Sequence, residues 1–227
     1  MAPLALLSTN QLPAVPPHED IVQLFKHCME FTLSSAQFQD KTEDLRRVGI
    51  NAQILAAHSI TGGAALGVLV SEIGRLTIDI NETLAELSSS GSVLARTAMA
   101  ITALGDRLGR YRRAWDKGLA SSSSASLLRD HYLESHAEMV NDLRVIHSSL
   151  LVNRSGLEDL RRATVFIPAL VSLLNINVAE YRESEEQFGV AAAELRAFRD
   201  FIVESCERMD HGVSDSLSMI QRLLAKG

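Results

Sequence analysis

The apolar positions along most of the chain recur at steps of three or four residues, which is typical of helices buried on one side. The clearest run steps by seven residues without a miss, through Leu66, Ile73, Ile80, Leu87, Leu94, Ile101, Leu108 and Trp115. The second position of each repeat lies three residues after the first, and these positions are small or polar in the middle of the run. We call them the partner positions: Leu69, Leu76, Thr83, Ser90, Thr97, Leu104 and Tyr111. A sustained seven-residue repeat predicts a left-handed coiled coil.

The same spacing predicts a helix before this run and further helices after it. Acidic Glu19 and Asp20 open the first helix, where they suit the positive end of its dipole. Its apolar positions are Ile21, Leu24, Cys28, Phe31, Phe38 and Leu45. The later positions are Met139, Leu143, Ile146, Leu150, Leu157, Leu160, Ile167, Val171, Leu174, Val178, Phe188, Leu195, Ile202, Met209 and Leu223. We expect Pro168 to kink its helix and to free a carbonyl near Thr164.

Three connections interrupt this pattern. Small residues crowd the segment from Thr61 to Ala64, which predicts a tight turn between two helices. Residues 119–125 are rich in serine and predict a linker. A second turn is expected near 181–184, because Ser184 to Gln187 has the form of a capping box. One continuous helix through this point is the alternative.

Together these elements predict an all-α fold: an elongated antiparallel four-helix coiled-coil bundle made of two helical hairpins in one chain. A flexible N-terminal lead (1–18) precedes the first hairpin (19–118), and the linker joins it to the second (126–227). The sequence of residues 43–47, Glu-Asp-Leu-Arg-Arg, recurs at 158–162, which supports a chain built of two similar halves.

Composition narrows the class of protein further. Apolar residues make up 46% of the 227 residues and aromatic residues 5%, which suits helices with a core. The net charge of −6 comes from interspersed charges of both signs, so a nucleic-acid surface is not expected. No apolar run approaches the length of a membrane span, and the N-terminus is a poor signal peptide. We therefore expect no membrane insertion and a cytoplasmic protein, in which Cys28 and Cys206 are reduced core thiols.

The sequence offers few groupings of residues that carry chemistry. Paired Glu-x-x-His motifs for a di-metal site are missing, and so is a G-x-S-x-G nucleophile turn. Gly62 and Gly63 follow no strand and precede no G-K-[ST], so they do not form a phosphate loop. We expect no metal, no cofactor and no enzymatic activity.

The segment around the first predicted turn carries a family resemblance. Nine residues match without a gap, namely Asn51, Ala52, Ile54, Ala56, Ala57, Gly63, Val68, Glu72 and Leu76. With them the segment resembles the cytoplasmic signalling tip of bacterial chemoreceptors (methyl-accepting chemotaxis proteins). Leu55 and His58 stand where that family has glutamate and arginine, and Thr61 stands in place of the turn glutamate.

In that family the tip contacts the chemotaxis histidine kinase and its coupling adaptor. The resemblance therefore implies a non-enzymatic signal-transduction or scaffold protein that binds such a kinase or adaptor, or itself. The implied partner-binding tip consists of Asn51, His58, Thr61, Gly62, Gly63, Ala64 and Leu66.

Two alternatives stay open. His58-Ser-Ile-Thr-Gly-Gly-Ala64 also resembles the His-Ser-Ile-Lys-Gly-Gly-Ala motif of histidine phosphotransfer domains, in which the histidine accepts a phosphoryl group. His58 would then be the phospho-acceptor, with Thr61 in place of the lysine. The other alternative is a purely structural helical bundle without a signalling partner.

Overall fold

The computed structural model describes residues 12–58, 63–117, 122–180 and 185–226. They form five helices: α1 (His18–His58), α2 (Gly63–Asp116), α3 (Ser122–Thr164), α4 (Ile167–Glu180) and α5 (Glu185–Lys226). This part of the chain contains no strand. Helix α4 packs against α5 and against α1. The predicted all-α helical bundle is confirmed.

The core follows the apolar pattern closely. In α2, the positions at steps of seven from Ile73 to Leu108 are all at most 2% exposed. The predicted apolar positions of the other helices are likewise buried wherever their side chains are described. Neither Cys28 nor Cys206 forms a disulfide, and both are buried, as expected. The three- and four-residue spacing of the sequence therefore identified the inward face of each helix, although Trp115, the last position of the run in α2, is only partly buried.

The partner positions of α2 require a correction. Leu69, Leu76 and Leu104 are buried as predicted, but Thr83, Ser90 and Thr97 are only partly buried, and the buried positions follow one residue later, at Leu84, Gly91 and Ala98. Both stripes keep the seven-residue step, but in the middle of α2 the second lies four rather than three residues after the first, a position that belongs to the same helix face. Glycine and alanine at these positions allow neighbouring helices to approach closely.

The chain divides into two compact units, and each unit contains segments from both predicted hairpins. The described residues of unit 1 are 12–29, 93–117, 122–150 and 214–226. Those of unit 2 are 30–58, 63–92, 151–180 and 185–213. Compact packing therefore depends on contacts between distant parts of the sequence in each unit.

In unit 1, the helices and the N-terminal segment (residues 12–17) are in close contact. A Cβ atom added to Gly105 of α2 would lie 2.7 Å from Ile21 Cδ1 of α1 and 3.7 Å from Met139 Cε of α3. The hydroxyl of Tyr132 in α3, itself fully buried, donates a hydrogen bond of 2.5 Å to the carbonyl of Pro13. This part of the predicted flexible lead is thus in contact with the helices.

Unit 2 contains similar close contacts. The hydroxyl of Thr32 in α1 donates to the carbonyl oxygen of Gly91 in α2 at 2.8 Å. A Cβ atom added to Gly156 of α3 would lie 2.9 Å from Leu87 Cδ2 of α2. Helices α3 and α5 are joined by ion pairs, since Asp210 lies 3.6 Å from Arg154 Nε and 3.3 Å from Arg161 Nη1.

The break expected at Pro168 is confirmed. Helix α3 ends at Thr164, residues Val165 and Phe166 form a turn, and α4 begins at Ile167. Proline lacks the N–H that would continue the ladder to the fourth residue before it, so the helix restarts instead. The backbone N–H of Val165 donates to the carbonyl of Arg162 at 3.2 Å, which closes the turn.

The structure describes the other predicted connections only in part. Gly63 and Ala64 are the first residues of α2, whereas Thr61 and Gly62 lie outside the described residues. The second predicted turn, at 181–184, also lies outside them. Ser122 to Ala125, assigned to the linker, belong to α3 instead. Serine suits the start of a helix because its hydroxyl can satisfy a free backbone N–H there.

Candidate functional site

A groove between α1 and α5 in unit 2 contains one of the predicted partner-binding residues, Asn51. Its volume is about 620 Å³, within the range of roughly 300–1,000 Å³ that is usual for small-molecule sites. Helix α1 contributes Lys41, Asp44, Arg47, Val48 and Asn51, and α5 contributes Glu194, Ala197, Phe198 and Phe201. We call these nine residues the α1–α5 groove.

The α1 side of this groove carries a charged cluster. Lys41 Nζ lies 3.2 Å from Asp44 Oδ2, and Arg47 Nη2 contacts Asp44 Oδ1 from the following turn. The hydrogen bonds from Lys41 and then Arg47 lower the pKa of the Asp44 carboxyl. Residues three apart on a helix are neighbours, so this arrangement follows from the sequence spacing. At neutral pH the cluster therefore carries one net positive charge.

The floor of the groove is apolar and firmly packed. Val48 is 4% exposed and Phe198 6% exposed. Phe201 packs edge-to-face on Phe38 of α1, with ring centroids 5.7 Å apart and an interplanar angle of 82°. Such an arrangement is the preferred geometry for aromatic pairs and holds α1 and α5 together. The groove thus combines a fixed apolar floor with a polar rim.

The predicted site residues are only partly brought together by the structure. Asn51 is exposed on α1 and lines the groove. His58 is the last residue of α1, and Gly63 and Ala64 open α2. The side chains of His58, Ala64 and Leu66, like residues Thr61 and Gly62 as a whole, lie outside the described part of the chain. Phosphotransfer at His58 therefore stays a prediction.

Large apolar side chains are exposed on both helices beside the predicted tip. On α1, Ile50 is 42% exposed and Ile54 52% exposed; on α2, Val68 is 67% exposed. Ile50 and Ile54 are four residues apart and so lie on one face of α1. Neighbouring exposed apolar residues such as Ile50 and Ile54, rather than single ones, are typical of contact surfaces.

The groove contains no hydroxyl, thiol or imidazole side chain. None of its nine residues is a serine, threonine, cysteine or histidine. Burial raises the pKa of the Cys28 and Cys206 thiols to about 12, so neither is a nucleophile at neutral pH. Within residues 12–58, 63–117, 122–180 and 185–226, no three His, Cys, Asp or Glu side chains gather at a potential metal site.

Comparison with known proteins does not assign the chain to a family. No protein-family model matches the chain, and neither a curated protein nor a solved structure matches it significantly. None of the described helices is long and apolar enough to cross a membrane.

Sequence reasoning named only one of the nine residues of the α1–α5 groove as a site residue. The i, i+3 spacing of Lys41, Asp44 and Arg47 was a usable signal for the charged cluster. No comparable signal existed for Phe198 and Phe201, because they lie about 150 residues further along the chain and meet α1 only after folding.

Proposed function

We propose that this chain is a non-enzymatic signal-transduction or scaffold protein of the cytoplasm, which acts through protein–protein contacts at the helix ends around Asn51 to Leu66. The partner class that the sequence resemblance suggests is a chemotaxis-type histidine kinase or its coupling adaptor. The described helices supply a rigid support for such a surface, because their inward faces are almost fully buried.

The observation that carries this proposal is the exposure of Ile54 and Val68. They lie on two different helices, on either side of the predicted turn, and are 52% and 67% exposed. Packing within the bundle does not explain apolar residues at these positions, where polar residues would serve a solvated helix equally well. Burial against a partner would explain them, at roughly 25 cal/mol per Å² of apolar area removed from water.

The α1–α5 groove gives the proposed surface a polar margin. Asn51 lies one turn from Ile54 along α1 and borders the groove, whose rim carries Lys41, Arg47 and Glu194. Interfaces of moderate affinity commonly surround an apolar centre with a polar rim of this kind. A partner that covers Ile54 would therefore reach the rim residues with little additional movement.

A retention assay with purified proteins tests the proposal. The full chain is immobilised, and retention of a chemotaxis histidine kinase and of its coupling adaptor is measured separately. The variants Ile54→Lys, Val68→Lys and Asn51→Ala are compared with the wild type. Met99→Lys is the matched control, since Met99 is 60% exposed on α2 and belongs to unit 1.

We expect the wild type and Met99→Lys to retain the partner and the two lysine variants near the tip to lose it. Asn51→Ala should weaken retention less, because it removes a polar margin rather than an apolar centre. Equal retention by all five proteins would contradict a contact surface at the tip. If the wild type retains neither kinase nor adaptor, the chemoreceptor-type partner is wrong.

A further inference from the structure

The N-terminal segment (residues 12–17) is bound to the helices of unit 1 through its main chain. The Tyr132 hydroxyl of α3 donates a hydrogen bond of 2.5 Å to the carbonyl of Pro13. The Arg112 guanidinium of α2 donates a longer one, of 3.5 Å, to the neighbouring carbonyl of Leu12. We call Arg112 and Tyr132 the donor pair. Every residue type provides a main-chain carbonyl, so these two bonds do not select particular side chains.

Proline restricts the backbone of the N-terminal segment. Pro13, Pro16 and Pro17 are three of its six residues, and no helix, strand or turn includes any of the six. Proline holds φ at about −65° and disfavours the helical conformation for the residue before it. This composition favours the polyproline II conformation, which has no internal hydrogen bonds. Its carbonyls are therefore available to external donors such as the donor pair.

The donor pair is oriented by other residues of its own two helices. Arg112 Nε lies 3.3 Å from Asp116 Oδ1, one turn further along α2. The ring of Tyr132 is stacked on the imidazole of His136, with ring centroids 6.3 Å apart and an interplanar angle of 12°. Burial raises the pKa of the Tyr132 hydroxyl, although the charge of Arg112 acts in the opposite direction, so the hydroxyl keeps its proton and can donate it. Contacts within α2 and α3 thus prepare both donors for a ligand.

The N-terminal segment is bound less firmly than the helices beneath it. Four of its six residues are half-buried and two are exposed, whereas Tyr132 is fully buried. The N–H of Ile21 donates to the carbonyl of Pro17 at 3.3 Å, so the segment continues directly into α1. A segment that detached from the donor pair would stay close to it and would compete with any other ligand there.

The donor pair and the Tyr132 ring have the features of a site for proline-rich ligands. Such sites are lined by aromatic side chains, and they gain affinity because the backbone of the ligand is already extended before binding. We propose that this site binds a proline-rich segment of a separate partner protein, with the N-terminal segment as its internal competitor. The proline-rich segment already bound there is the observation that selects this occupant. The site belongs to unit 1 and is independent of the tip surface proposed above.

Fluorescence anisotropy with the full chain tests the proposal. The probe is a labelled peptide with the sequence of residues 11–18, Gln-Leu-Pro-Ala-Val-Pro-Pro-His, and the comparison peptide has alanine in place of its three prolines. The double variant Pro13→Gly/Pro16→Gly weakens the internal competitor, because glycine lacks the fixed φ of proline. We call this variant the released chain. Circular dichroism checks that each variant is folded.

We expect the released chain to bind the proline-rich peptide at least about tenfold more tightly than the wild type, whose site is occupied. Tyr132→Phe in the released chain should then weaken binding about fivefold, which is the contribution of one hydrogen bond. The same substitution in the wild type should change the affinity much less, because it weakens the competitor and the peptide alike. Tyr111→Phe in the released chain is the matched control and should leave binding unchanged, since Tyr111 forms no hydrogen bond with residues 12–17.

Four results would overturn the proposal. The released chain could fail to bind the proline-rich peptide, or could bind the alanine peptide equally well. Wild type and released chain could have the same affinity, which would place the peptide elsewhere. Tyr132→Phe could weaken binding no more than Tyr111→Phe does. Finally, sedimentation velocity could show a wild-type dimer that the released chain loses, which would assign the site to the N-terminal segment of a second copy instead of a separate partner.

Discussion

Replacing Asn153 by leucine is expected to stabilise the protein, although it removes a polar side chain from the centre of α3. Asn153 is fully buried, between the core residues Leu150 and Leu157. Neither its amide nitrogen nor its amide oxygen has a hydrogen-bond partner among the described residues. Buried threonines avoid this problem: the hydroxyls of Thr42 and Thr77 donate to backbone carbonyls four residues earlier in their own helices.

An asparagine cannot use the same solution for both of its amide atoms. Its oxygen needs a donor, but the backbone N–H groups in the middle of a helix already donate to carbonyls of that helix. A buried polar group without a partner costs about 1–3 kcal/mol. Leucine has nearly the same branching, and its helix propensity is better by roughly 0.5 kcal/mol. Its greater bulk offsets about 1 kcal/mol of this gain.

We therefore expect Asn153→Leu to raise the free energy of unfolding by about 0.5–2.5 kcal/mol. For a chain of this size, each kcal/mol corresponds to an increase in Tm of about 2–4 °C. Urea titration followed by circular dichroism measures the free energy, and thermal unfolding gives an independent value. Asn141→Leu is the matched control, because Asn141 is exposed on the same helix and reports the propensity gain alone.

The reasoning would be refuted if Asn153→Leu gained no more stability than Asn141→Leu. That result would mean that the amide of Asn153 is satisfied in solution. A loss of stability relative to the wild type would also refute the reasoning, because the strain from the bulk of leucine would then exceed the gain from removing the buried amide.

Three further predictions follow from close contacts and burial. Gly212→Ala should raise the free energy of unfolding by about 1 kcal/mol, since nothing lies within 4 Å of the new Cβ. Gly156→Ala should give no such gain, because its new Cβ would press on the side chain of Leu87. Urea titration compares the two variants, and an equal gain would contradict the contact with Leu87. Tyr132→Phe removes the hydrogen bond to the N-terminal segment and should lower the free energy of unfolding by about 1 kcal/mol. Amide hydrogens of the N-terminal segment should exchange faster in this variant. Unchanged exchange would show that the hydrogen bond does not hold the segment on the helices. Burial lowers the pKa of His136 below its ordinary 6.5, so the unfolded chain binds a proton at this imidazole more readily than the folded chain. The free energy of unfolding should therefore fall as the pH drops below 6.5. His136→Gln should flatten the profile of unfolding free energy against pH, and identical profiles for variant and wild type would contradict a role of His136.

The sequence predicted the secondary structure and the inward face of each helix well. Helical periodicity is a local property, so the residues from Ile73 to Leu108 reveal their common face without knowledge of any neighbour. The break at Pro168 was predictable for the same reason, because a missing N–H acts within one turn. The charged cluster around Asp44 likewise depends only on spacing along α1.

The sequence alone did not decide which residues of different helices meet. The stripe of α2 through Leu84, Gly91 and Ala98 was predicted one residue too early, because positions three and four residues after the first stripe share one helix face, and packing against neighbouring helices decides which of them is buried. Phe38 and Phe201, which hold one side of the α1–α5 groove together, are separated by more than 160 residues. Their contact is a result of packing between distant segments.

What the sequence determined by itself is therefore local: where helices form, where Pro168 interrupts them and which side of each helix is apolar. Tertiary structure decided which apolar residues remain exposed, such as Phe166, Leu173 and Val68, and which buried polar side chain lacks a hydrogen-bond partner among the described residues, namely Asn153. The physical reason is that periodicity acts through bonds and one helical turn, whereas burial depends on the shapes of segments that become neighbours only after folding.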